Sequence, residues 1–132
     1  MAIFKKICII DDDEIFLVVS KLIIKSEFFA EEILEFSDGK FAYKYFKENI
    51  DSIDLPEVII LDINMSLMDG WEFLDALQEL GLADKLNIFI SSSSIDPIDL
   101  EKAEKNPHII SFIDKPLTTE KLETIRAKAN IV

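Results

Sequence analysis

The chain has 132 residues, with 26 acidic against 14 basic side chains and a formal net charge of −12. That length suits one domain, and the acid surplus disfavours nucleic acid and anionic membranes as default partners, because both reward Lys and Arg. Ten Phe and a 49% hydrophobic content exclude acidic disorder, while a lone cysteine, Cys8, and a lone histidine, His108, exclude a disulfide framework and a Cys/His zinc site.

Met1–Lys6 has no apolar core followed by a small-residue cleavage site, so no signal peptide is expected. No apolar run approaches the roughly 18–20 residues that span a bilayer. A soluble, cytoplasmic protein is expected. Ile7–Ile10 is apolar and mostly β-branched, and reads as a buried strand ending at Asp11. From Asp13 the period changes, and Ile15, Val18, Val19, Leu22 and Ile23 fall on one helical face. Ile33–Phe36 reads as a weaker second strand. Ser37-Asp38-Gly39 opens a helix with Ala42, Tyr45 and Phe46 inside.

Pro56 precedes a third strand, Val58–Leu61, which ends at Asp62. Asp69 with Glu72 three residues later forms an Asp variant of the capping box, so a helix starts there. It buries Phe73, Leu74, Leu77 and Leu80, and Gly81 can end it. Ile88–Ile90 is a fourth strand. Asp96-Pro97 caps a short helix running to about Lys105. Ile109–Ile113 is a fifth strand, and Thr118 or Thr119 caps a last helix through Leu122, Ile125 and Ala129. Five β-α units with doubly apolar strands imply a parallel sheet covered by helices on both faces. Ligand sites in such sheets lie beyond the carboxyl ends of the strands.

Those ends carry Asp11, Asp12 and Asp13 after the first strand, Asp62 and Asn64 after the third, a serine run after the fourth, and Lys115-Pro116 after the fifth. Clustered carboxylates repel unless a cation joins them, and an all-oxygen donor set suits a hard ion such as Mg²⁺. A carboxylate beside such an ion can attack a phosphoryl group and form an acyl phosphate. Phosphoryl transfer then asks mainly for positioning and for charge on the equatorial oxygens. Lys115 and a serine hydroxyl could supply part of both.

The motifs Ile9-Ile10-Asp11-Asp12-Asp13, Ile60-Leu61-Asp62-Ile63-Asn64-Met65, Met68-Asp69-Gly70, Ile90-Ser91-Ser92-Ser93 and Phe112-Ile113-Asp114-Lys115-Pro116 are in order and in register. Together they make the chain resemble a response-regulator receiver domain of the CheY type over nearly its whole length. The resemblance implies a flavodoxin-like, doubly wound α/β fold of five parallel strands in order 2-1-3-4-5. It implies one receiver domain over residues 1–132, with no output domain.

By the same resemblance, Asp62 is the phosphoacceptor, Asp12 the direct metal ligand, and Asp11 the acid that holds the ion through water. Asn64 offers its backbone carbonyl to the metal. Ser92 is the switch hydroxyl, Phe112 the aromatic switch residue, and Lys115 the contact to a phosphoryl oxygen. The Lys115-Pro116 bond is expected cis. The expected cofactor is Mg²⁺. The expected partners are a histidine kinase or phosphotransfer protein upstream and a protein target bound through helix 4, strand 5 and helix 5, with neither nucleic acid nor membrane. A homodimer through that switch face is compatible. The domain is regulatory rather than an enzyme, apart from its own phosphorylation and dephosphorylation. Asn64 and Ser94 occupy positions that tune hydrolysis.

Four positions depart from the family's usual pattern. Ser66 replaces a proline, Ser92 a threonine, Ser91 an aliphatic residue, and Phe112 lacks a tyrosine hydroxyl. With hydroxyls at both 91 and 92, the choice of switch residue is open by one position. Simpler readings compete elsewhere. Asp13 caps the first helix, Asp69 and Gly70 serve as cap and turn, His108 is a loop residue, and Cys8 fills core. The runner-up function is a haloacid-dehalogenase-like aspartyl phosphatase, which needs a D-x-D pair after its first strand. A degenerate receiver that only binds a partner and a flavodoxin-like cofactor binder compete more weakly.

Overall fold

A computed structural model describes residues 2–93 and 96–129, so Ser94 lies outside the described residues. The β-branched runs form strands β1 (Phe4–Ile10), β2 (Ala30–Phe36), β3 (Val58–Asp62), β4 (Asn87–Ser92) and β5 (Ile109–Asp114). Between them run helices α1 (Glu14–Ser26), α2 (Gly39–Glu48), α3 (Gly70–Glu79), α4 (Pro97–Lys105) and α5 (Thr119–Lys128). The strands pair in parallel in the order β2-β1-β3-β4-β5.

The helix starts follow their caps. Asp13, Asp38, Asp69, Asp96 and Thr118 each accept a hydrogen bond from a backbone N–H of the first turn. Asp69 and Glu72 complete a reciprocal capping box. Gly81, at φ 75°, supplies the left-handed residue beyond α3. A short 3₁₀ turn at Ala83–Lys85 precedes β4. The strands are longer than the apolar runs suggest. β1 begins at Phe4 and β4 includes Ser91 and Ser92, because parallel pairing continues through polar residues once neighbours are in register.

Alternate strand residues divide the core. Cys8, Ile10, Ile59, Leu61, Ile88 and Ile90 pack with the α2 and α3 side chains Phe46, Phe73 and Leu77. Ile7, Ile9, Val58, Ile60 and Phe89 pack with the α1 and α5 side chains Phe16, Ile24, Leu122 and Ile125. Cys8 is fully buried, and that burial pushes its thiol pKa up, which keeps it unreactive.

The apolar face of α1 read from periodicity is not the one that meets the sheet. Phe16, Leu17, Ser20 and Ile24 are buried, whereas Ile15 (75% exposed), Val18 (53%), Val19 (43%) and Leu22 (65%) face outward. Ile23 lies between the two sets and is half-buried. The helix is apolar nearly all round, so its pattern names two faces. At its N-terminus the Asp13 N–H donates to Asp11 Oδ1 at 2.9 Å, and the Asp13 carboxylate accepts from Ile15 and Phe16. The helix is rotated so that Phe16, Leu17 and Ile24 pack with Ile7, Ile9 and Ile60 of the strands. His108 lies in the turn before β5, as expected, with its Nδ1 2.9 Å from the exposed Asp84.

Candidate functional site

Asp11, one residue past β1, is fully buried, and Asp62, the last residue of β3, is 5% exposed. Asp12 is exposed beside them. The three carboxylates each offer an oxygen, and these atoms lie within 4.8 Å of one another. The Lys115 ammonium reaches Asp11 Oδ2 at 2.7 Å and Asp62 Oδ1 at 3.9 Å. It also stands 4.7 Å from the centre of the Phe16 ring, so a core residue of α1 steers the lysine toward the acids. The Lys115-Pro116 peptide bond is cis. The Lys115 N–H donates to the Ser92 carbonyl at 3.2 Å and ties the end of β5 to β4.

Electrostatics follow from burial and like charge. Burial, and after it the charge of Asp11, push the Asp62 carboxyl up to about 6, against the pull of Lys115 and of a backbone N–H from Asn64. Asp11 is also raised, chiefly by burial, although Lys115 and the Asp13 N–H oppose this. The acids are therefore held together at a cost that a bound cation would relieve. Their all-oxygen donor set fits a hard divalent ion and not a thiophilic one.

Asp13 is kept apart from this group as the N-cap of α1, and Asp114 is exposed on the other side of its strand from Lys115. Both hydroxyls on β4 are buried. Ser91 is in register with Asp62 and shares its side of the sheet, and among the described residues its Oγ has no hydrogen-bond partner. Ser92 shares the side of Ile90 and Phe112, which are register partners. Phe112 is half-buried against the α3 side of the core. Asn64 is exposed at the start of the loop after β3.

Two N–H groups in the far half of that loop are held by a residue whose sequence pattern announces only a helix start. Asp38 is 3% exposed. It accepts from the N–H groups of Leu67 at 2.9 Å and Met68 at 2.8 Å, as well as from Lys40 in its own helix at 3.0 Å. The signal was present in Ser37-Asp38-Gly39, but no sequence pattern says that a cap also binds a loop roughly 30 residues away.

A flavodoxin-like sheet with three carboxylates and a lysine at its carboxyl rim defines a class: a small α/β domain built to gather anionic oxygens and a cation at one edge. The family model described as "Response regulator receiver domain" matches residues 7–126, and the chain belongs to that family. A two-component response regulator from Cytophaga hutchinsonii is 31% identical, with a TM-score of 0.87 over 95% of this chain and 96% of that one. A response regulator receiver protein from Dyadobacter fermentans is 30% identical, with a TM-score of 0.76 over 92% and 94%. The chemotaxis protein CheY4 of Vibrio cholerae shares the fold at 22% identity, with a TM-score of 0.74 over 94% and 98%. No curated protein matches the chain. Membership implies that the domain interacts with kinases or phosphotransfer proteins and with downstream targets. Among the described residues no helix is long and apolar enough to cross a membrane.

Proposed function

We propose that Asp62 accepts a phosphoryl group from a phosphohistidine of a histidine kinase or phosphotransfer protein, and that the domain then switches a protein-binding face. The observation that carries this is the convergence of Asp11, Asp12 and Asp62 with Lys115 at one rim. Asp11, Asp12, Asp62 and the Asn64 carbonyl would hold Mg²⁺, which when bound neutralises the crowded carboxylates and phosphoryl oxygens. An ionised Asp62 oxygen attacks phosphorus in line. The new P–O bond forms as the P–N bond breaks, and the electron pair leaves with the imidazole, which takes a proton from water.

Lys115, ion-paired with Asp11 at 2.7 Å and 3.9 Å from Asp62, is one short movement from contacting a phosphoryl oxygen carried by Asp62. Ser92 shares the sheet side of Phe112, opposite to that of Asp62, which supports a coupled motion of the two as the end of β4 shifts toward the phosphoryl group, while Ser91 is the hydroxyl already on the side of Asp62. That motion would shift the surface made by α4, β5 and α5 between two populations, read by a separate protein in the cytoplasm. The outward stripe of α1 starts two residues beyond Asp13. It supports docking of the phosphodonor beside the rim. An aspartyl phosphatase is less well supported: after β1 the D-x-D spacing is met by Asp11 and Asp13, but the Asp13 carboxylate is engaged as the N-cap of α1, and after β3 Asn64 stands in place of a second acid beside Asp62.

The test is an acyl-phosphate assay with acetyl phosphate, or beryllofluoride binding, with and without Mg²⁺. Wild type should take up label only with Mg²⁺, and Asp62→Asn none. Label on Asp62→Asn, or none on wild type with Mg²⁺, overturns the reading.

A further inference from the structure

The loop from Ile63 to Asp69 joins the phosphoacceptor strand to α3, and it is held at both ends. At the near end the Gly70 N–H donates to the Ile63 carbonyl at 2.8 Å. A Cβ on Gly70 would stand 2.7 Å from the Asp62 carbonyl oxygen, so this turn is pressed on the strand end. At the far end Leu67 and Met68 donate to the two oxygens of Asp38. A Cβ on Gly39 would stand 2.7 Å from the Met68 carbonyl oxygen, a second and independent mark of close contact at the same spot. Between these anchors Ser66 adds no ring constraint, and Ser66 and Leu67 are exposed. In the far half of the loop Met65 and Met68 pack on the core and Asp69 is held by its capping box with Glu72, and the Leu67 and Met68 N–H groups are held by one buried carboxylate at the start of another helix.

The geometry points to Asp38 as a positioning residue for phosphoryl acceptance. By clamping Leu67 and Met68 it fixes the path of the loop, and hence the direction of the Asn64 carbonyl beside Asp62. Two charge-assisted hydrogen bonds in a buried setting are strong enough to hold one loop conformation. The assignment rests on the reading of Asp62 as phosphoacceptor and adds a residue that touches neither the cation nor the phosphoryl group.

Capping and clamping can be separated by substitution. Asp38→Ser keeps a favourable N-cap for α2, but its hydroxyl is too short to reach the loop. Asp38→Asn keeps one acceptor oxygen for Lys40 and Met68, and turns an amide nitrogen toward Leu67. Gly39→Ala leaves the carboxylate in place and pushes on the Met68 carbonyl, in a helix that alanine favours. Two readouts apply to the full chain: amide hydrogen exchange of residues 63–69 in the metal-free protein, and the apparent Mg²⁺ dissociation constant.

Asp38→Ser should speed exchange at Leu67 and Met68 about tenfold and weaken Mg²⁺ about fivefold or more. The protection of α2 should be retained. Asp38→Asn should fall between Ser and wild type, and Gly39→Ala should weaken Mg²⁺ in the same direction. If Asp38→Ser loses only α2 protection, with loop exchange and Mg²⁺ affinity unchanged, Asp38 is a helix cap and the proposal is overturned. If wild type itself binds no Mg²⁺ and takes no phosphoryl group, the site reading has failed and the proposal falls with it. That result differs from one in which wild type is active and the variants match it.

Discussion

Lys115 is bonded to Asp11 rather than to Asp62: its ammonium lies 2.7 Å from the first carboxylate and 3.9 Å from the second. The phosphoacceptor candidate therefore keeps an oxygen without a close cation, and the lysine waits one short movement away. Asp11 acts as the resting partner that stops Lys115 from pairing fully with Asp62.

Removing that lysine should strand a buried charge. Lys115→Met is expected to destabilise the protein by about 3 kcal/mol at pH 7.5, the scale found when one member of a buried ion pair is deleted. At pH 5 the loss should be smaller, because Asp11, already above the usual carboxylate range through burial, takes up a proton instead. Urea unfolding at both pH values reads this, and an equal loss at both would contradict it.

Asp62 should make the metal-free protein more stable in mild acid. Its carboxyl is raised from 3.8 to about 6, so the folded state binds the proton more tightly than the unfolded chain. The stabilisation is complete below about pH 4 and lost as pH rises through about 6. Asp62→Asn removes the penalty. In chelator it should be more stable than wild type by on the order of 2 kcal/mol at pH 7.5, and no more stable at pH 4. A pH-independent difference would rule out the raised carboxyl as its cause.

The outward stripe of α1 should matter for a protein donor and not for a small one. Val18→Asp with Leu22→Glu is expected to cut transfer from the phosphodonor protein at least tenfold, while labelling by acetyl phosphate stays within twofold of wild type. Both sites are exposed, so stability should change by no more than about 0.5 kcal/mol each. Leu17→Ala, on the buried face, should cost about 2–4 kcal/mol. Equal losses with both donors would show damage to the rim itself.

Trp71, the one tryptophan, bridges α3 to α4. Its indole N–H donates to Asp99 at 3.0 Å, and the Lys102 ammonium lies 4.5 Å from its ring centre. Among the described residues of α4 only Ala103 is buried, so few contacts resist movement of that helix. Beryllofluoride with Mg²⁺ should change the Trp71 emission in wild type and leave Asp62→Asn unchanged. Asp99→Ala should shift the starting emission toward the activated value. Identical spectra with and without beryllofluoride would mean that α4 keeps its place.

The β-α alternation, the caps at Asp13, Asp69 and Asp96, and the acids and lysine beyond the strand ends were all legible in the sequence, whereas the last cap was narrowed only to Thr118 or Thr119. They are local: a cap satisfies N–H groups within its own first turn, and a doubly apolar strand announces its burial. Only the tertiary structure decided which face of α1 meets the sheet, because Ser20 interrupts the buried row while the exposed row is unbroken, and the choice lies in the packing of Phe16, Leu17 and Ile24 against Ile7, Ile9 and Ile60 of the strands. It alone placed Ser91 beside Asp62 and Ser92 beside Phe112, since register belongs to strand pairs and not to one strand. The same reason hid Asp38: its cap is written three residues wide, but its hold on Leu67 and Met68 exists only once α2 packs beside the loop that carries Asp62 into α3.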